Sequence, residues 1–495
     1  MELLIGLDVG TTSTKALLFN PQGQILASAS QPYGLMASEG DRVEQDPQDF
    51  WNAAVTTLRS LSRQIGTADR VLAICQSSQG GTTIPADDAG NPVTHAISWM
   101  DQRARSEGGQ ALERFSEEEF YRTTGWPFQA TLPFRHIIWL RRQTPEVFKR
   151  ARRFLFVNDF IGHRLTGEYC MNPSDASVTH LFNIAQGDWD ERLLELAGIQ
   201  RPQLSPLKPS GAIVGTLTKQ ASLNTGLPAG IPLINGAHDQ YCAAVGLGVT
   251  IPGPMLLSCG TAWVLLAVPE TLEIGYQSRM AISCHAVPGR WGVMRAQGGV
   301  GASVEWLIDQ VFAGADKSIG RKQLYAAVNE SVLSSPPGAG GLLFYPLSGG
   351  HTELVYAGRG GFIGMNLKHT RADMARAVLE GVVFDLRWTL EEIQAADVCV
   401  DEMKMVGGGA GSSAWPQIVT DITGIPVVLP AIREAASWGA AILAGVGSGV
   451  FPDAAAGVSR TGPERRVEPN VEHRERYDEL FGHYKRLCSQ VCKAL

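Results

Sequence analysis

The segment Leu3-Leu4-Ile5-Gly6-Leu7-Asp8-Val9-Gly10-Thr11-Thr12-Ser13-Thr14-Lys15-Ala16-Leu17-Leu18-Phe19 decides how the rest of the chain is read. An apolar run carries one carboxylate, Asp8, near its end. A short Gly-Thr-Thr-Ser turn follows, and a second apolar run returns. β-prone runs flanking a short polar turn predict a hairpin. Gly10 lets the backbone approach a ligand closely. Thr11, Thr12 and Ser13 offer clustered amides and hydroxyls of the kind that cradle phosphate. Asp8 stands where it can hold a magnesium ion, directly or through water. An ordinary hairpin with one exposed carboxylate has the same pattern, so this segment alone leaves both readings open.

The unit recurs. Met255-Leu256-Leu257-Ser258-Cys259 leads into Gly260-Thr261-Ala262, and Trp263 to Val268 returns. A repeat of this kind predicts two related domains facing each other across a cleft. The length of 495 residues also exceeds what one hydrophobic core usually serves. The Pro- and Gly-bearing segment Val249 to Pro254 is the expected boundary, giving domains 1–249 and 250–495. A third Gly-rich turn, Gly407 to Gly411, follows the strand Met403 to Val406 and precedes a helix start at Ser412-Ser413. Three such turns predict a bracketed nucleotide, with phosphates at the hairpins and adenosine against the third turn. Free amides at the helix start favour an anion. The chain has no Gly-Lys pair, which excludes a Walker A loop, and no G-x-G-x-x-G placed after a strand, which argues against a dinucleotide site.

Composition narrows the partners. Hydrophobic residues make up 44% and charged residues 18%, values of a globular chain. A net charge of -7 argues against nucleic acid and against an anionic membrane surface. No run approaches the roughly 18 unbroken apolar residues of a membrane span, and no charged leader with an apolar core opens the chain. The eight cysteines form no zinc-type pair of pairs. Cys488 and Cys492 lie one helical turn apart and read as neighbours on a helix face. Reduced thiols and a cytoplasmic location are expected.

A second carboxylate, Asp239, ends the predicted strand Pro232 to Ala237 in the turn His238-Asp239-Gln240. Ligands collect at such carboxyl ends in open α/β sheets. A carboxylate there can accept a hydroxyl proton as a phosphoryl group transfers. The competing reading makes Asp239 the cap of a helix starting at Gln240, and the two are compatible. Asp101 and Arg103 end another strand; they read as substrate contacts or as a salt-bridged helix start. Ser78, Gln79 and Gly80 supply the contacts a sugar needs, or form a plain polar loop. His238 reads as structural, and Trp415 and Trp438 as core residues.

Several motifs in order carry a resemblance. They are Leu7 to Thr12, Asp159 through Leu165-Thr166-Gly167-Glu168, Ser174 to Ser177, Arg376 to Gly381, Gly411 to Val427, and Glu434 to Ala441. The chain resembles the FGGY carbohydrate kinases, with a pattern closest to xylulokinase-like members. The resemblance implies an α/β fold of two ribonuclease-H-like, actin-like ATPase domains with an interdomain cleft. It implies ATP and Mg2+ as cofactors and a small sugar or polyol as substrate, with a homodimer as an open assembly. Asp239 is then the catalytic base, and Asp8 supports magnesium and phosphate. Thr11, Thr12, Ser13 and Thr261 fall along the ATP phosphates. Gly301, Glu305, Gly408 and Ser412 fall at the nucleotide. Ser78, Gln79, Asp101, Asp239 and Gln240 fall at the substrate. Two departures concern the acceptor: Gln79 stands where xylulokinases carry histidine, and Asp239-Gln240 where many have Asp-Asn. A ketopentose such as D-xylulose leads; ribulose, erythritol, glycerol or another polyol follow. An actin-like ATPase without a sugar, or a silent sugar sensor, are the rivals from other classes.

Overall fold

Both strand–turn–strand segments open a sheet of the same design. The computed structural model describes residues 1–38, 41–260, 262–313, 319–346, 360–460 and 462–494. They form two units. The first holds Met1–Ile251, Thr271–Val293 and Glu434–Gly462; the second holds Pro252–Glu270, Met294–Arg433 and Pro463–Leu495. The division thus differs from a single cut at 249/250, because two later segments return to the first unit.

In the first unit, β1 (Glu2–Val9), β2 (Ser13–Phe19) and β3 (Ile25–Pro32) form an antiparallel meander. The Gly10 N–H donates to the Ser13 carbonyl at 3.0 Å and closes the first turn. β4 (Arg70–Ser78) lies parallel to β1. β5 (Ile213–Thr216) and β6 (Pro232–His238) complete the order β5-β6-β4-β1-β2-β3, with β6 parallel to β4. Near-continuous apolar runs in β1 and β4 fit strands covered on both faces. Helix α1 (Pro47–Ser62) starts as its sequence directs: Asp46 accepts the Gln48 N–H at 2.9 Å, and Pro47 occupies the first turn. It buries Phe50, Ala54, Leu58 and Leu61, and each large side chain so buried contributes about 1.5–3 kcal/mol. Two short helices carry site residues, α2 (Pro173–Ser177) and α3 (Asp239–Gly246).

In the second unit, β7 (Gly253–Cys259) pairs antiparallel with β8 (Trp263–Ala267). Six strands of this seven-stranded sheet, completed by β9 (Trp291–Gln297), β10 (Val400–Gly407), β11 (Val427–Leu429) and β12 (Arg465–Val467), run in the order β9-β8-β7-β10-β11-β12. As in the first unit, the opening strand is antiparallel to its hairpin partner and parallel to the later strand on its other side. Helices α4 (Val300–Leu307), α5 (Arg321–Ser334), α6 (Arg371–Ala395) and α7 (Trp415–Thr423) surround it. Inside α6, Arg376 donates to Glu380 at 2.7 Å, to the Tyr477 hydroxyl at 2.9 Å and to the Ser335 carbonyl at 2.8 Å. Glu380 also accepts from Tyr477 and from the Gly338 N–H. The Arg376 to Gly381 motif is therefore a buried polar network, with every partner satisfied.

The first unit is completed by α8 (Ala435–Gly447). A Cβ on Gly6 of β1 would stand 1.9 Å from the Ser437 carbonyl oxygen, and one on Gly439 would stand 1.7 Å from that of Cys242. A Cβ on Gly246 would meet the Ala435 oxygen at 2.3 Å. Helices α3 and α8 thus touch backbone to backbone through glycines, and α8 lies against β1 in the same way. Among the described residues, no helix is long and apolar enough to cross a membrane.

Candidate functional site

The parallel pairing of β1, β4 and β6 brings their carboxyl ends together in the first unit. Asp8 lies opposite Ser77, and Ser78 opposite His238. The Ser77 hydroxyl donates to Asp8 at 2.8 Å. Burial, reinforced by the negative charge of Asp239, pushes the Asp8 carboxyl up to about 7; the Ser77 bond and Lys15 oppose this. Lys15 itself pairs with Glu434 at 2.8 Å. Ser78 donates to Asp175 of α2 at 3.4 Å, and Asn172 donates to it at 2.7 Å. Burial, with Asp239 adding to it, holds Asp175 well above the usual carboxylate range. Asp8, Asp175 and Asp239 therefore form one acidic group of interacting charges.

Asp239 is the first residue of α3; the cap position before it is held by His238, whose side chain makes no cap bond. The reading of Asp239 as the cap of a helix beginning at Gln240 is thereby corrected: the helix begins one residue earlier, and His238 occupies the cap position. About a quarter of the Asp239 side chain, 26%, stays open to solvent. The neighbouring Gln240 has its amide oxygen buried without a hydrogen-bond partner.

The Gly10 to Ser13 turn is held from outside by residues whose sequence positions gave no signal. Tyr33 donates its hydroxyl to the Gly10 carbonyl at 2.5 Å, and Gln45 donates to the Thr11 carbonyl at 2.8 Å. The Trp99 indole donates to the Thr11 hydroxyl at 3.0 Å. Gln79 in turn donates to Gln45 at 3.2 Å, and its own N–H reaches the Val9 carbonyl at 2.9 Å. Asp101 is fully buried and its oxygens are occupied: the Arg103 guanidinium and N–H reach it at 2.9 Å and the Val43 N–H at 2.7 Å. The salt bridge of the second sequence reading is present, but no helix starts there: the next helix begins at Ala111.

In the second unit a cavity of about 430 Å³ gathers residues from five stretches of chain. Gly260, Gly301, Glu305, Gly408 and Ser412 line it together, although Gly260 and Ser412 are far apart in sequence. Thr261 lies outside the described residues. Glycine is needed at the floor: a Cβ on Gly407, whose φ is 85°, would stand 2.6 Å from the Cys259 carbonyl oxygen, and one on Gly409 would meet Cys259 and Trp415. Tyr325, Asn329, Leu379 and Trp415 also line the cavity and were not singled out for it. Ser412 donates to Asn329 at 2.5 Å and accepts the Trp415 N–H at 3.0 Å, opening α7. Glu305 holds Arg321 and the Tyr325 hydroxyl. Trp415 is both core, packed at a tilt against Trp263 with ring centroids 4.9 Å apart, and cavity wall.

Two units that each open on an antiparallel hairpin with a later parallel strand beside it, with acidic strand ends in the first and a glycine-floored cavity in the second, define the actin-like ATPase class made of ribonuclease-H-like domains. Family models of the N-terminal and C-terminal domains of the FGGY family of carbohydrate kinases match residues 3–246 and 255–448. The chain belongs to this family, and it is an ATP-dependent sugar phosphotransferase. It is 30% identical to a xylulose kinase of Staphylococcus epidermidis, over 99% of this chain and 97% of that protein. It is 28% identical to an autoinducer-2 kinase of Klebsiella pneumoniae, over 98% and 93%. The structure of a gluconate kinase from Lactobacillus acidophilus superposes with a TM-score of 0.89 at 25% identity, covering 99% of this chain and 98% of that one.

Proposed function

We propose that this kinase phosphorylates a terminal hydroxyl of a ketopentose, D-xylulose first, with Asp239 as general base. The observation that carries the reading is the placement of Asp239, a partly open carboxylate that follows the end of β6 and opens α3. As the acceptor oxygen bonds to the γ-phosphorus and the bond to the ADP oxygen breaks, Asp239 takes the hydroxyl proton. Ser78, Gln79 and Gln240 are the proposed acceptor contacts. Asp101 supports that side from within the fold through Arg103 and Val43.

Thr11, Thr12, Ser13 and Thr261 are assigned to the ATP phosphates, and Gly301, Glu305, Gly408 and Ser412 to the nucleoside. Among the described residues no three metal-ligating side chains converge. Magnesium needs only one or two carboxylates when phosphates complete its shell. Asp8, with its carboxyl raised beside Asp239, fits such an ion, which when bound supplies charge neutralisation at the phosphates. The seven described cysteines are free thiols, in keeping with a cytoplasmic location.

The test is ADP release measured over D-xylulose, D-ribulose, erythritol, glycerol and gluconate. The highest kcat/KM is expected with D-xylulose. Equal rates without any acceptor overturn the reading. A second reading, a different polyhydroxy acceptor, draws on Gln79: its amide is already bonded to Gln45, where a histidine would present a ring nitrogen. A better acceptor than D-xylulose in the same panel supports it.

A further inference from the structure

His238 separates the proposed base from the sugar-side turn. Its backbone N–H is fixed to the Ser174 hydroxyl at 2.9 Å. Its ring lies over Gly80, where a Cβ would stand 2.4 Å from Cδ2 and 3.0 Å from Nε2. Tyr241 meets the ring edge-on at 6.0 Å, and Tyr241 is itself anchored by its hydroxyl to the Gly292 carbonyl at 3.1 Å. The ring is therefore held by packing on two sides and by its backbone. Only 10% of the side chain is exposed, and burial holds the imidazole below its usual range, so it is neutral at neutral pH. Yet among the described residues the buried Nδ1 has no hydrogen-bond partner, and it stands 3.5 Å from the nearer Asp239 oxygen. A buried polar nitrogen without a partner costs about 1–3 kcal/mol, which a shift of half an ångström toward Asp239 would recover.

We propose that His238 is the positioning residue of Asp239. The neutral imidazole carries its proton on Nδ1 and donates it as a hydrogen bond to one carboxylate oxygen. The other oxygen then faces the acceptor hydroxyl and takes its proton during transfer; the imidazole proton stays on nitrogen throughout. A base oriented by a third group is a recurrent arrangement in proton-transfer sites. Gly80 belongs to this device: its missing side chain is the space the ring occupies, so the sugar-side turn fixes the orienter of the base. This inference rests on the assignment of Asp239 as base.

The experiment compares His238→Asn, which keeps an N–H donor near the Nδ1 position, with His238→Gln, which moves it toward Nε2, and with His238→Leu, which removes it. In saturating ATP and acceptor, His238→Leu is expected to lower kcat about 10²-fold, the loss typical of a misplaced catalytic group. Both KM values should stay within about threefold, since the imidazole acts on the base rather than on binding. His238→Asn should recover most of the loss and His238→Gln little. In an Asp239→Asn background, His238→Leu should cost no further activity, as coupled residues require. Unchanged kcat in His238→Leu overturns the proposal, as does a Gln variant equal to or better than Asn, or additive losses in the double variant. If His238→Leu fails to fold, the Asn and Gln pair still decides. Full activity of Asp239→Asn removes the base assignment and this inference with it, whereas an inactive Asp239→Asn beside an active His238→Leu removes the inference alone.

Discussion

The Ser77 hydroxyl donates to Asp8 at 2.8 Å across two parallel strands, and it does not suffice to keep that carboxylate acidic. Burial and the charge of Asp239 still raise Asp8 to about 7. A group whose folded value lies above its unfolded one stabilises the fold below the unfolded value, and that contribution is lost as pH rises through the folded one. The magnesium-free, nucleotide-free protein should therefore lose stability between about pH 4 and pH 7 on account of Asp8. Asp8→Asn should melt higher than the parent at pH 8, with the gap shrinking toward pH 4. Melting temperatures of both proteins across that range check this; a gap independent of pH counts against it.

Replacement of Asp239 by Asn keeps the shape and removes the basic oxygen. Turnover with D-xylulose should drop by about 10² to 10⁴, the usual worth of a general base. Since Asp239 stands outside the cap position of α3, the melting temperature should change little. Steady-state kinetics with a matched thermal scan separate the two effects.

Asn329 lines the cavity of the second unit and holds Ser412. Asn329→Leu should raise the KM for ATP roughly tenfold, about the 1.4 kcal/mol of one good polar contact. The KM for the acceptor should be unaffected. A larger change in the acceptor KM than in the ATP KM would contradict the assignment of this cavity to the nucleotide.

The Arg376–Glu380 pair is fully enclosed and hydrogen-bonded on all sides. Removing one partner leaves an uncompensated buried charge, so Glu380→Ala should cost about 3–5 kcal/mol. Replacing both residues together with apolar side chains of similar volume should cost less than either single change. Denaturant unfolding of the three variants measures the difference.

Gly439→Ala places a Cβ 1.7 Å from the Cys242 carbonyl oxygen, where neither helix can yield without shifting its backbone. The cost should reach or exceed the roughly 1–3 kcal/mol of ordinary overpacking. Soluble expression and the melting temperature report it. A protein as stable as the parent would mean that α3 and α8 can separate freely.

Much of this was readable in the sequence because it rests on local chemistry. The hairpin Asp8 to Lys15 and its echo at Gly260 follow from apolar runs around a polar turn, and both are present. Gly301 with Glu305 and Gly408 with Ser412 lie in two separate segments that the family resemblance assigns to the nucleotide, and one cavity collects them. What stayed hidden depends on long-range packing. Gln45, Tyr33 and Trp99 hold the Thr11 turn from loops whose pairing no periodicity encodes. Tyr325 and Asn329 sit on α5, where one exposed polar face looks like another until the neighbouring strands are in place. The occupied state of Asp101 depends on the Val43 N–H, 58 residues away along the chain.

The backbone contact between α8 and the strand β1 has a consequence for biosynthesis. Gly6 emerges from the ribosome long before Ser437, which covers it. Domains generally fold as units during synthesis, the N-terminal one first. Here the N-terminal unit cannot finish until more than 430 residues have been made, so its central strand waits without one of its two covers. Most of the second unit is translated before α8 and its last segment, Pro463–Leu495, only after it, so the two units complete their folds in close succession.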